Sequence, residues 1–211
     1  VALLGSNESR KSTLLQLLAG LVEPDSGSLE IDEIDLGEVE LSSLWQAVSL
    51  ASARNEIFEG SLEENIHMGR NVGHHELRRV LSLVGLQDEF TGLSTRLTSM
   101  GRNLSDSQLQ RVLLARALVE SPRLLLLDDP LPAVDEPRRV AIYAGLLAPD
   151  PATTVVATMA DPEAVRRCDL VVVLSQGRVV GRGDWRDLVR QSDSVLWKEL
   201  PHLARALEEF L

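Results

Sequence analysis

Short apolar runs of strand length alternate with stretches of helical periodicity along most of the chain. No other feature constrains the fold as much. Val1–Leu4, Val48–Ser52, Arg123–Leu127, Thr154–Thr158 and Leu170–Leu174 are the strand candidates. Runs of this kind fit strands covered on both faces, so the expected fold is α/β with a largely parallel sheet. Lys11–Ala19 has helical composition and stops at Gly20, His74–Val84 stops at Gly85, and Pro162–Arg167 fits a short helix. Ser28–Leu36 alternates apolar and acidic residues, as a half-exposed strand or hairpin does. Ser105–Glu120 is the clearest helix. Ser105 and Gln108 have capping-box spacing, and Leu109, Val112, Leu113 and Arg116 continue the turn pattern. Trp185–Gln191 and Ser194–Phe210 read as amphipathic helix. There is no internal repeat and no low-complexity linker.

The 211 residues suffice for one domain with an ample core. Lys plus Arg number 21 against 32 Asp plus Glu, a net charge of −11, which argues against a general nucleic-acid binder. No apolar run approaches the roughly 18 residues that a membrane-spanning helix needs. The single cysteine, Cys168, excludes an internal disulfide and a cysteine-based metal site, and is read as a small core residue in a reducing compartment. The chain opens on Val1 and runs straight into an apolar stretch. That reads as a cut end with polypeptide continuing upstream.

Chemistry concentrates first in GSNESRKST, Gly5–Thr13, which lies between a strand and a helix. A phosphate loop has the form G-x-x-x-x-G-K-[ST]: backbone N–H groups face the phosphates, the lysine reaches the terminal ones and the hydroxyl holds Mg²⁺. Gly5, Lys11, Ser12 and Thr13 fit those places, with Ser6, Asn7 and Ser9 in the loop between. Arg10 replaces the second glycine, and Glu8 stands in the middle of the loop. The second concentration is LLLLDDP, Leu124–Pro130. An apolar strand that ends in a carboxylate has Walker B geometry, placing Asp128 to bind Mg²⁺ and Asp129 beside the terminal phosphate.

The stretch GRNLSDSQLQRVLLARALVESPRLLLLDDP resembles the signature and Walker B of the ATP-binding cassette (ABC) family, LSGGQ-x-QR-x-x-x-ARAL…LLLLDEP. Leu104, Ser105, Gln108, Gln110, Arg111, Ala115, Arg116, Ala117 and Leu118 match. PAVD, Pro132–Asp135, resembles the D-loop, which places Asp135 in it, and Val155–Met159 resembles the strand before the H-loop. IFEGSLEENIHMGR, Ile57–Arg70, resembles the segment after the Q-loop in exporter-type cassettes. The resemblance runs in the right order over almost the whole chain. It implies a P-loop NTPase fold, a RecA-like parallel sheet core with a helical signature subdomain around Ser61–Glu120, and one cassette over residues 1–211 that is incomplete at its N-terminus. It also implies ATP and Mg²⁺ as cofactors, a transmembrane domain as partner, a second cassette paired head-to-tail, and a place at the cytoplasmic face of the cell membrane.

Departures cluster where the family's chemistry takes place. Ala53 stands at the Q-loop position, Asp106 and Ser107 replace both signature glycines, Asp129 replaces the glutamate that serves as base, and Met159 replaces the H-loop histidine. A carboxylate about 5 Å from a phosphate charge repels it by about 3 kcal/mol at an effective dielectric of about 20, more than a hundredfold in affinity. Glu8 would bring such a charge to the chain's own loop, and Asp106 would bring one to a partner's nucleotide. Asp129 keeps the carboxylate but loses one methylene of reach, and Met159 loses a hydrogen-bond donor.

These residues imply a cassette that keeps its fold and binds ATP to drive or regulate transport, with little hydrolysis of its own. An identical partner would leave both sites defective, so a non-identical one is expected. The alternative is a pseudo-ATPase that binds no nucleotide and serves as the structural half of a cassette dimer. A soluble cassette of translation or DNA repair is disfavoured by the net charge, by the absence of a second cassette or coiled-coil insert, and by the exporter-like segment. His67, His74, His75 and His202 show no metal-ligand spacing, and no Ser/His/Asp arrangement is legible. Trp45, Trp185 and Trp197 are expected to pack. The acidic residues at 30–40, with Arg166 and Arg167, are expected at the surface.

Overall fold

The computed structural model describes residues 1–52, 56–148 and 153–211. In chain order these form β1 (Ala2–Leu4), α1 (Lys11–Leu18), β2 (Glu30–Ile31), β3 (Ile34–Asp35), α2 (Leu41–Ala47), β4 (Val48–Ser52) and β5 (Gly60–Ser61). There follow α3 (Leu62–His67), α4 (His74–Leu83), β6 (Arg96–Leu97), α5 (Asp106–Leu118), β7 (Leu124–Asp128), α6 (Glu136–Leu146) and β8 (Thr154–Thr158). The last are α7 (Pro162–Val165), β9 (Val171–Ser175), β10 (Arg178–Gly183), α8 (Trp185–Arg190), α9 (Val195–Glu199) and α10 (Pro201–Glu208).

Six strands form one sheet in the order β10-β9-β1-β8-β7-β4. Its pairings are parallel except for β10, which runs antiparallel to β9 at one edge. Because successive strand residues face opposite ways, one apolar run serves two cores. Leu125 and Leu127 of β7 enter the larger core, with Ala2, Leu4 and Val173. Leu126 enters a smaller one with Leu3, Leu15, Leu44 and Leu174, where α1 and α2 cover the opposite face. Burial of each such leucine stabilises the fold by about 2 kcal/mol.

Parallel register brings the strand ends level. Asp128 pairs with Thr158 on one side and with Ser52 on the other, and Leu3 lies opposite Thr158. The segments that leave β1, β7 and β8 therefore emerge side by side at the carboxyl ends of neighbouring strands, where ligands of open α/β sheets bind.

The helices around α5 pack on the larger core: α3, α4 and β4 all contact α5, and Leu62, Leu77 and Val112 join Leu125 and Leu127 there. Ser105 caps α5, its hydroxyl accepting from Gln108 N–H while the Gln108 side chain accepts from Ser105 N–H, the expected capping box. Ser61 and Glu64 make a second box at the start of α3. Ser28–Leu36 resolves as a hairpin of two short strands, β2 and β3, with its acidic residues at or near the surface.

Several expectations shift. Helices α2 and α6 fall where no helix is expected, and the strand expected over Arg123–Leu127 starts one residue later and includes Asp128. Trp45 is not a core residue. It is 49% exposed and donates its indole N–H to Ala19 O. Cys168 is buried, as expected, and Arg166 and Arg167 are exposed. No helix among the described residues is long and apolar enough to cross a membrane.

Candidate functional site

The loop after β1 closes on itself before α1 begins. Gly5 has φ +149, and a Cβ there would lie 2.3 Å from Leu174 O and 2.5 Å from Ser9 Oγ, so only glycine fits. Asn7–Ser9 make a single 3₁₀ turn in which Ser9 is buried, its hydroxyl donating to Ser6 O at 2.7 Å. Ser6, Asn7, Glu8 and Thr13 are exposed. Arg10 adopts the left-handed conformation, φ 68 and ψ 27, and so holds the backbone geometry that the expected glycine would supply.

Lys11 opens α1 and donates to Gly5 O at 2.7 Å, Ser6 O at 2.7 Å and Ser9 Oγ at 3.1 Å. Burial lowers its pKa, and the neighbouring charges of Asp128 and Asp129 work against that shift. Ser12 donates to Asp128 Oδ1 at 2.9 Å and so joins α1 to the end of β7. Among the described residues, no side chain caps the N-terminus of α1. Its first N–H groups, beside the Lys11 ammonium that the loop oxygens engage, could hold an anion, with a hydroxyl and a carboxylate of the kind that bind Mg²⁺ next to it. The residues present fit a phosphate chain with a divalent cation.

Asp129 and Met159 lie at the next two strand ends. The backbone N–H of Asp129 donates to Thr158 Oγ1 at 2.7 Å, which fixes the turn after β7 where Asp129 has φ 44. Partial desolvation, then the charge of Asp128, raises the Asp129 pKa, with Lys11 and Arg139 opposing. Met159 is 7% exposed and lines a cavity of about 290 Å³ with Asp129, Leu131, Arg139, Tyr143 and Asp161. Across that cavity Arg139 pairs with Asp161 at 2.9 Å. The thioether of Met159 has no proton to donate there.

The signature-like segment is separate. Leu104 packs against the larger core, Ser105 and Gln108 form the capping box, and Asp106 is exposed at the first residue of α5. The Ser107 hydroxyl is buried with no hydrogen-bond partner among the described residues. Gln108 Nε2 donates to Glu89 Oε2, and Arg111, buried to 2% exposure, makes a two-pronged pair with the same carboxylate at 2.7 and 2.9 Å. No hydrogen bond or ion pair joins residues 104–108 to residues 5–13 among the described residues. Asp135 caps α6, accepting from Arg138 N–H and pairing with the Arg138 guanidinium. Ala53 lies outside the described residues.

Sequence reasoning missed Thr158, whose hydroxyl faces both Asp128 and Asp129, and Glu89, which anchors Gln108 and Arg111. Neither carries a motif, since each acts through a partner distant in sequence. No group of three or more His, Cys, Asp or Glu residues able to hold a metal ion occurs among the described residues.

The family model described as "ABC transporter" matches residues 1–132. The chain is 31% identical over 202 residues to the heterocyst differentiation ATP-binding protein HepA of Nostoc sp., covering 93% of this chain and 33% of that one. It is 33% identical over 200 residues to ABC transporter B family member 21 of Arabidopsis thaliana, covering 92% of this chain and 15% of the other. A solved structure of a bacterial Atm1-family ABC exporter with ATP bound superposes with a TM-score of 0.87 at 27% identity, over 95% of this chain and 36% of that one. The chain spans a third or less of the length of these curated relatives. The likeness bears out the expected α/β fold with a P-loop NTPase sheet core.

Proposed function

The chain belongs to the ABC transporter family, and we propose that it is the nucleotide-binding cassette of an exporter, binding ATP with Mg²⁺ but hydrolysing it poorly. Residues 1–211 are read as one cassette with a helical subdomain at about 61–120. Lys11 and the N–H groups that open α1 would hold the phosphates, and Ser12 and Asp128 would hold the magnesium ion, whose charge offsets that of the phosphate oxygens. The observation that carries this reading is a pairing at one end of the sheet. The Ser12–Asp128 hydrogen bond is intact, while the neighbouring strand end presents the buried thioether of Met159.

Hydrolysis needs a water held in line, a base to take its proton and donors for the developing charge. The raised pKa of Asp129 makes it a better proton acceptor than an ordinary aspartate. What it lacks is the reach of a glutamate, and what the site lacks is a donor at position 159. Glu8 and Asp106, both exposed carboxylates, add repulsion at the chain's own loop and at the face turned to a partner.

The partners follow from the same reading. Two adjoining hollows share Met68: one of about 380 Å³ is bordered by Leu50 of β4 and Arg116 of α5, and the other, of about 510 Å³, by Phe58, Asn65 of α3 and Arg96 of β6. Phe58 is 51% exposed there, and we assign this groove to a helix of the membrane domain at the cytoplasmic face of the membrane. A second, non-identical cassette would close the nucleotide site, because an identical one would contribute Asp106 to both. The charge balance gives no support for nucleic acid.

The test is single-turnover phosphate release from the full chain after mixing with MgATP. Bound nucleotide with almost no released phosphate is the expected result. Rapid release by this cassette alone contradicts the reading, and absence of bound nucleotide favours the structural pseudo-ATPase.

A further inference from the structure

Arg10 is the cation of the phosphate loop whose side chain, among the described residues, makes no contact that serves the loop itself. It occupies a left-handed backbone position that glycine fills without penalty. Its side chain is exposed, with the stem running beside the turn between β9 and β10, where a Cβ on Gly177 would come within 3.8 Å of Arg10 Cγ. The same turn is latched to the loop by Gly177 N–H, which donates to Ser9 O at 3.3 Å. Among the described residues, no hydrogen bond or ion pair engages the Arg10 guanidinium, although Glu8 lies only two positions away. Lys11, by contrast, turns its ammonium inward onto Gly5 O, Ser6 O and Ser9 Oγ.

We propose that Arg10 is a second phosphate-directed cation of this site, contacting the phosphate chain of the bound nucleotide and offsetting Glu8. The proposal rests on the nucleotide-binding reading above. It inverts what the motif suggests. Restoring glycine at position 10 repairs the P-loop pattern and relieves the backbone, yet it should weaken binding, because the cation contributes more than the glycine geometry already adopted. A guanidinium pairs with phosphate oxygens through two parallel N–H groups, which lysine replaces only as a point charge.

The test is equilibrium binding of a ribose-labelled fluorescent ATP analogue with Mg²⁺ to the full chain, comparing wild type, Arg10→Gly, Arg10→Lys and Lys11→Ala across a range of salt concentrations. Arg10→Gly should bind about tenfold more weakly and with a shallower salt dependence, while Arg10→Lys keeps most of the affinity. Arg10→Gly should also melt no lower than wild type, so the loss cannot be assigned to a disrupted loop. Equal or tighter binding by Arg10→Gly, with Lys11→Ala still defective, overturns the role of Arg10 and leaves the nucleotide site standing. Absence of binding by wild type overturns both.

Discussion

The Ser12 hydroxyl donates to Asp128 Oδ1 at 2.9 Å across 116 residues of sequence, and this one contact locks the start of α1 to the end of β7. Both groups are the kind that ligate Mg²⁺, and neither needs to move far to do so. Asp128→Asn keeps a hydrogen-bond acceptor for Ser12 but loses the charge. Nucleotide affinity in that variant should no longer respond to Mg²⁺, while wild type binds about tenfold more tightly with the ion than without it. Titrations with and without a chelator check this, and a Mg²⁺ response undiminished in Asp128→Asn contradicts the assignment.

Repair of the two altered strand ends should restore chemistry. Met159→His introduces a donor into the cavity beside Asp129, and Asp129→Glu returns the missing methylene. The double variant should raise single-turnover phosphate release by about a hundredfold, the low end of what positioned acid–base groups supply. Each single variant should give much less, because a base and a donor act as a unit. A double variant no faster than wild type would place the defect elsewhere.

Asp129 also makes a prediction about pH. Its folded pKa is raised by desolvation and then by Asp128, so between the unfolded value and the raised one the folded chain binds more protons than the unfolded chain. Stability contributed by this group is therefore lost as pH rises through that window. Asp129→Asn removes the charge that causes the loss. The variant should melt higher than wild type at neutral pH, and the gap should close once the pH falls below the ordinary aspartate range. Thermal melts across pH read the effect directly.

The bolt behind the signature segment is the Arg111–Glu89 pair, with Gln108 sharing the same carboxylate. Arg111 is buried whereas the Glu89 side chain is 26% exposed, so removal of Glu89 leaves a buried guanidinium short of its charged acceptor, at a cost of about 2 kcal/mol. Glu89→Ala should lower chemical-denaturation stability by about that amount, whereas an exposed pair such as Arg166–Glu163 should matter by less than about 1 kcal/mol. Arg111 hydrogen bonding also holds the Glu89 carboxyl below its usual range. The pair's contribution thus persists above the ordinary carboxylate pKa and is lost as pH falls through the depressed one.

Local signals in the sequence located those parts of the fold whose physics is local. The capping box of α5 was legible because Ser105 and Gln108 satisfy each other within one turn, and Gly20 marks the end of α1 with φ 66. Helix α2 was not legible, because Ala47 passes directly into β4 with no glycine or proline between them. Helix α6 was missed although Asp135, two residues before Pro137, is a start signal. The same side chain carries the D-loop resemblance and is engaged in capping. The loop and the Asp128–Asp129 pair could be picked out because each lies at the end of an apolar strand, and Met159 through the resemblance to the family's H-loop. Their convergence depends on the strand order β1-β8-β7, which no local pattern encodes. Thr158 and Glu89 escaped for the same reason.

Equilibrium binding of a fluorescent ATP analogue with Mg²⁺ to the full chain, with Lys11→Ala as control, tests the central claim most directly. The account predicts saturable micromolar binding that Lys11→Ala abolishes. No binding up to millimolar nucleotide, or binding indifferent to Lys11→Ala, contradicts it.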